Sequence, residues 1–431
     1  PPPPPPTPPR LDSSAASDVY KRQLQGAYVI LLPAIGIVIV SWMVRRWAPE
    51  AQGHGVPEVM YAMKREGGRI RPRVAGIKAL ASALCIGSGG SVGREGPIVQ
   101  IGCTFGSTMG RILGLDEGRV KLLVACGAAA GVAGTFNAPI AGVIFALEVI
   151  LGNFAGRVMG LVVISSVTAT ALCQSVLGKA PAFALAHLFT LKSPLELPMY
   201  VVLGVLAGLV ALSFVRVLYV FEDGFHRWRW RPTLKAAIGG LGVGAMGFFF
   251  SAHLFGTGYG GIEAALGGEM ALWLVAALIP LKILASSLTL AAGGSGGIFA
   301  PSLFIGAMLG GAFGLTAAEI FPAGMIAPSG AYALVGMAAV FAGAAHAPIT
   351  SIIILFEMTD DYKIILPLMI TCITATLLAT NIQQASIYTM KLLRRGVDLS
   401  VGQILSVLRN LRARDLMDEE FAVTVGPDEP L

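Results

Sequence analysis

Gly87–Pro97, GSGGSVGREGP, and Gly293–Pro301, GGSGGIFAP, are the two stretches that decide how this chain folds. Each interrupts one apolar run and opens another, and of the two only the first carries a carboxylate, Glu95. A helix that starts after such a loop leaves its first backbone N–H groups unpaired and carries about half a positive charge at that end, so it can hold an anion without a lysine. Glycine ahead of the helix lets the backbone come close to the ion. Pro97 and Pro301 stand where a first-turn residue needs no N–H donor. In lipid, exposed backbone of this kind is tolerated only where it is buried in protein or lines a cavity. Each loop is therefore expected on an anion pathway.

Composition sets the solvent. Hydrophobic residues make up 55% of the 431 and charged residues 13%, and mean hydropathy is +0.73, far from a soluble domain. The expected fold class is an all-α, polytopic membrane protein. Twelve apolar stretches run from Gly26–Val44 to Ile364–Thr380, among them Ile98–Leu113, Ile140–Leu151, Ala236–Phe255, Ile298–Phe321 and Ile349–Met358. Several fall short of the roughly 20 residues of a full span, which predicts half-spanning and broken helices rather than a simple bundle.

The net charge of +6 would suit a nucleic-acid partner, but the basic residues gather at segment ends: Arg45 and Arg46, Lys64 to Lys78, Arg227 to Lys235, Lys391 to Arg395. Such clusters mark a cytoplasmic membrane face, so the lipid bilayer is the expected partner and nucleic acid is not. On that rule Gly26–Val44 runs from outside to inside and calls for an earlier span. The leader 1–23 is a proline run followed by a polar stretch without periodicity; it is expected to be disordered and foreign to the natural chain, with a native N-terminal helix lost. Cys85, Cys103, Cys126, Cys173 and Cys372 lie in or beside apolar runs without metal-type or paired spacing and read as buried hydrophobes. No metal or other cofactor is expected, and no enzymatic activity.

The chain also repeats itself. After Pro97, Asn137-Ala138-Pro139 follows 42 residues on and Glu148 nine later; after Pro301, His346-Ala347-Pro348 follows 47 residues on and Glu357 nine later. Two halves of like design, about 26–178 and 199–380, predict an inverted repeat with the ion site between them. Glu148, Glu357 and Glu58 read as structural carboxylates satisfied by helix N-termini or hydroxyls. Asp360 and Asp361 read as solvated.

Gly53-His54-Gly55-Val56-Pro57-Glu58, then Gly93-Arg94-Glu95-Gly96-Pro97, then Gly297-Ile298-Phe299-Ala300-Pro301 resemble, in order and spacing, the three anion-selectivity signatures of the CLC chloride channel and transporter family. Tyr388, in Ser386-Ile387-Tyr388, is a fourth match, and the resemblance runs from about Gly26 to Gly396. It implies a homodimer in the cell membrane, each subunit with its own pore, carrying chloride as bound ion. It implies anion contacts from the amides of Ile298 and Phe299 at a central site and of Arg94, Glu95 and Gly96 at an outer one, with Ala300 also among the anion-binding residues. Tyr388 would offer its hydroxyl from the cytoplasmic side, and Glu95 would be the gate. The residue chemistry agrees: a lone carboxylate among helix N-termini competes with a halide for the same N–H donors and can take up a proton. The plainer role, an acidic residue capping its own helix, stands beside it. Arg94 either concentrates anions or snorkels to the surface.

Two positions depart from the family pattern. His54 stands where members commonly place a serine that contacts the central ion; an imidazole is bulkier and either donates a hydrogen bond to the anion or turns away. Val149 stands where proton-coupled members carry an inner glutamate, and valine relays no proton. The expected function is therefore chloride and small-anion transport by a channel or weakly coupled transporter. The alternatives are a proton-coupled chloride antiporter and, more distantly, a fluoride exporter of the same fold. A phosphate-cradling enzyme is excluded because Gly87–Pro97 lacks the Gly-Lys-Ser/Thr ending and a preceding strand. The membrane unit is expected over 24–396, and the tail 397–431, with Arg-Asp-Leu-Met at Arg414–Met417, resembles the start of a CBS domain.

Overall fold

The computed structural model describes residues 26–154, 156–178, 193, 196–322, 325–359 and 362–397; the leader, the CBS-like tail and Asp360–Asp361 lie outside the described residues. Among those described the chain is helical, with two isolated backbone bridges and no strand. The first half holds α1 (Leu31–Trp47), α2 (Val56–Arg65), α3 (Arg73–Gly87), α4 (Glu95–Ile112), α5 (Glu117–Phe136), α6 (Pro139–Phe145) and α7 (Gly156–Leu177), with a π-helical turn at Ala146–Leu151 after α6. The second holds α8 (Leu197–Arg227), α9 (Pro232–Phe249), α10 (Tyr259–Leu266), α11 (Leu272–Ala291), α12 (Phe299–Ile320), α13 (Ser329–Ala345), α14 (Pro348–Thr359), α15 (Ile365–Ile382) and α16 (Thr389–Arg394). Among the described residues seven helices are long and apolar enough to cross a membrane, and Pro139–Leu151, Ser329–Ala345 and Pro348–Thr359 are shorter apolar segments. Large apolar side chains such as Ile164, Leu172 and Val176 of α7 stand exposed, as lipid requires.

The two halves are built on one plan. In the first, α4 packs on α5, and a Cβ added at Gly102 would lie 2.2 Å from the Gly127 carbonyl oxygen. In the second, α12 packs on α13, and a Cβ at Gly306 would lie 2.3 Å from the Gly336 carbonyl oxygen. Bare backbone against bare backbone is how helices associate where lipid offers no hydrophobic drive. The carboxylates cross between halves. Glu148 accepts from the Ile349 and Thr350 amides at 3.3 and 2.7 Å and from Thr350 Oγ1 at 2.6 Å, at the start of α14. Glu357 accepts from the Ile140 and Ala141 amides at 3.0 and 2.6 Å, at the start of α6. Each half thus caps a helix of the other, as an inverted repeat permits.

Three sequence expectations change. Lys78 does not belong to a surface cluster. It is wholly buried in α3, with Nζ donating to the Ala51 and Gly53 carbonyls at 3.0 and 2.7 Å. Lys282 repeats it in α11, giving 3.2 Å bonds to the Leu254 and Gly256 carbonyls. Lys78 stands nineteen residues before Pro97 and Lys282 nineteen before Pro301, so these are equivalent positions that hold equivalent loops. Glu58, in the first turn of its own helix α2, is held by cations rather than by a hydroxyl or the amides of another helix. It pairs with Lys391 at 3.1 Å and takes both Arg395 nitrogens at 2.8 and 2.7 Å, fastening α2 to the end of α16. The run Ala236–Phe255 ends as a helix at Phe249, after which Ser251 caps a 3-10 turn at Ala252–Leu254.

Candidate anion chamber

The three glycine signatures meet at one point. Gly93 and Gly297 exchange backbone hydrogen bonds of 2.7 and 2.6 Å; Gly53 donates to the Gly294 carbonyl and accepts from the Gly296 amide, both at 3.2 Å. Gly53 and Gly55 have φ of 76° and 85°, a region open to glycine, and this double reversal sets His54 inward and starts α2 at Val56. α4 starts at Glu95 and α12 at Phe299, each from a glycine loop tied to the other. Their first-turn amides have no acceptor within the helix and are available to an anion.

Between these starts lies a chamber lined by His54, Val56, Glu95, Gly96, Ile298, Phe299 and Tyr388, with Val99, Val132, Phe136 and Phe145 as its apolar wall. Its free volume of about 10 Å³ is room for one water or small ion. Three buried polar atoms on its lining residues have no hydrogen-bond partner: Glu95 Oε2 and both ring nitrogens of His54. In a folded interior such groups are nearly always satisfied, so they mark where a ligand or water belongs. Glu95 Oε2 lies beside Gly93 and the Ala300 amide: a Cβ at Gly93 would meet that oxygen at 2.2 Å and the Ala300 nitrogen at 3.1 Å. The His54 ring stands 6.1 Å from the Tyr388 ring, centroid to centroid. His54 is thus among the residues that line the chamber.

Tyr388 also lines a second, larger cavity of about 550 Å³, with Lys64, Lys121, Glu148, Val149, His346, Ser386 and Thr389. Tyr388 is the wall between the chamber and this vestibule. Val149 lies on the vestibule wall, in the π-helical turn, and its neighbour Glu148 is tied up by α14. Arg94 does not line the chamber; its side chain is exposed, with the guanidinium 5.5 Å from the Tyr259 ring centroid.

One site residue escaped the sequence reading. Tyr259 donates its hydroxyl to Glu95 Oε1 across 164 residues of chain. The signal was the repeat: Gly256-Thr257-Gly258-Tyr259 mirrors Gly53-His54-Gly55-Val56, with the same left-handed glycine, φ 83° at Gly258 against 85° at Gly55, ahead of the helix. The loop correspondence is faint in the sequence because Gly260 stands where the first loop has Pro57, and it does not by itself show the bond to Glu95.

Known proteins resemble this chain in sequence and in fold. A ClcB-like chloride channel protein of Ralstonia nicotianae is 33% identical over 376 residues, covering 86% of each chain. The H(+)/Cl(−) exchange transporter ClcA of Yersinia pestis is 35% identical over 378 residues, 84% of this chain and 76% of that protein. The crystal structure of a slow cyanobacterial Cl−/H+ antiporter superposes with a TM-score of 0.78 at 25% identity, covering 89% of this chain and 93% of that one. Residues 36–380 match the family described as voltage gated chloride channel, and the chain belongs to that family.

Proposed function

We propose that this protein carries chloride and related small anions across a membrane through the chamber, with Glu95 as its gate. The observation that carries the reading is the set of unpartnered buried atoms around one ion-sized space, Glu95 Oε2 and the two His54 nitrogens, beside the open amides of α4 and α12. An anion there accepts from backbone N–H groups and from one His54 N–H; Glu95, when ionised, takes the same donors and blocks. Protonation or displacement of Glu95 opens the path. Basic Lys64 and Lys121 on the vestibule support its assignment to the cytoplasmic side, and the family resemblance supports a homodimer in the cell membrane.

Glu95→Gln mimics the protonated gate, so chloride flux from proteoliposomes becomes nearly independent of pH. Flux that keeps the wild-type pH dependence removes Glu95 from this role.

Val149 on the vestibule wall supports conduction that is uncoupled or weakly coupled to protons. A proton-coupled antiporter is the second reading, supported by the exchangers among the relatives. Under it, protons reach Glu95 by water in the vestibule rather than by a side chain at 149.

A further inference from the structure

We infer that Tyr259 is the latch of the gate: its phenol holds the Glu95 carboxylate in the blocking position and so sets how readily the path opens. The inference rests on Glu95 being the gate. Glu95 uses its two oxygens unequally. Oε1 accepts from Tyr259, while Oε2 has no partner and lies by the Ala300 amide, where it competes with an anion. The carboxylate is tethered by one oxygen and blocks with the other.

The tether is held from two sides. Tyr259 opens α10 directly after Gly258, where φ is 83° and an added Cβ would meet the Phe304 ring at 2.7 Å and Lys282 Nζ at 3.2 Å. Lys282 grips the carbonyls just ahead of this turn, so the direction of the phenol is fixed by a buried clamp. On the other side the Arg94 guanidinium, one residue before the gate, lies 5.5 Å from the centre of the Tyr259 ring. Tyr259 does not line the chamber, unlike Tyr388. It is a positioning residue that acts through Glu95.

A hydroxyl binds an ionised carboxylate more strongly than a neutral one. Losing this bond lets the carboxylate swing away and take a proton more easily. Wild type, Tyr259→Phe, Glu95→Ala and the double variant are compared by chloride efflux from proteoliposomes between neutral and acid pH. Tyr259→Phe is expected to raise efflux at neutral pH roughly tenfold, the worth of one charge-assisted hydrogen bond. It is also expected to move the midpoint of the pH profile up by about one unit. In the Glu95→Ala background the same change is expected to do nothing, because nothing is left to latch. An equal increase in that background, a fall in efflux, or an unchanged Tyr259→Phe profile beside a pH-independent Glu95→Ala overturns the latch; the last leaves the gate standing. A Glu95→Ala protein with the wild-type pH profile overturns the gate and the latch together. Efflux from the double variant at the Glu95→Ala level shows that the phenylalanine protein folds.

Discussion

The two halves share a frame and differ in what the frame holds. Each has a buried lysine, Lys78 or Lys282, gripping two carbonyls of a glycine turn, and each has a glycine loop feeding α4 or α12. At matched positions the first half offers Glu95 and the second Phe299; the first offers His54 and the second Thr257. Backbone that must hold a shape is duplicated, and side chains that must do chemistry are not. The first half thus carries Glu95 and the ring nitrogens of His54, and the second carries the uncharged helix start at Phe299 and Tyr259, whose hydroxyl reaches Glu95.

The frame is the part whose disturbance should cost most. Lys78→Met takes one donor each from the Ala51 and Gly53 carbonyls, which keep Ser295 Oγ and the Gly296 amide, and Lys282→Met takes the Nζ donor from the Leu254 and Gly256 carbonyls; each is expected to lose on the order of 3 kcal/mol in stability. Melting of the detergent-purified variants reads it. Lys282 also lies 4.9 Å from the Phe304 ring centroid, which Lys78 has no counterpart for among the described residues, so the second loss is expected to be the greater by about 1 kcal/mol. A silent change on either side would break the equivalence of the clamps.

The crossed carboxylates come next. Glu148 accepts three hydrogen bonds and Glu357 two, so Glu148→Gln is expected to destabilise by about 2 kcal/mol and Glu357→Gln by about 1. Equal losses would show that the Thr350 hydroxyl contributes nothing. The smallest effect is expected on selectivity. His54→Ser should change the chloride-to-nitrate or chloride-to-fluoride preference by a factor of about 5, worth about 1 kcal/mol, while Thr257→Ser at the mirrored position should leave it alone. Reversal potentials under mixed anions measure both.

Much of this frame was legible in the sequence because it is written in residue types with one physical use. Glycine runs ending in proline marked the helix starts at Glu95 and Phe299, and the spacing of Glu148 and Glu357 marked the repeat. Helices α2, α3, α10 and α16 were not legible: each is short, or carries charges such as Arg73 and Lys78 that hydropathy reads as surface. Lys78 is buried because its ammonium satisfies carbonyls, which composition does not reveal. Tyr259 was hidden for a different reason. Its bond to Glu95 spans both halves, and a contact across 164 residues leaves no local pattern.

We propose an anion path that Glu95 gates and in which Val149 offers no proton relay. The most direct measurement is the reversal potential of the reconstituted protein under a chloride gradient, with and without an opposing pH gradient. On this reading the potential follows chloride and stays put when the pH gradient is imposed. A potential that moves with the pH gradient would contradict it, and would require a proton route to Glu95 that passes by Val149.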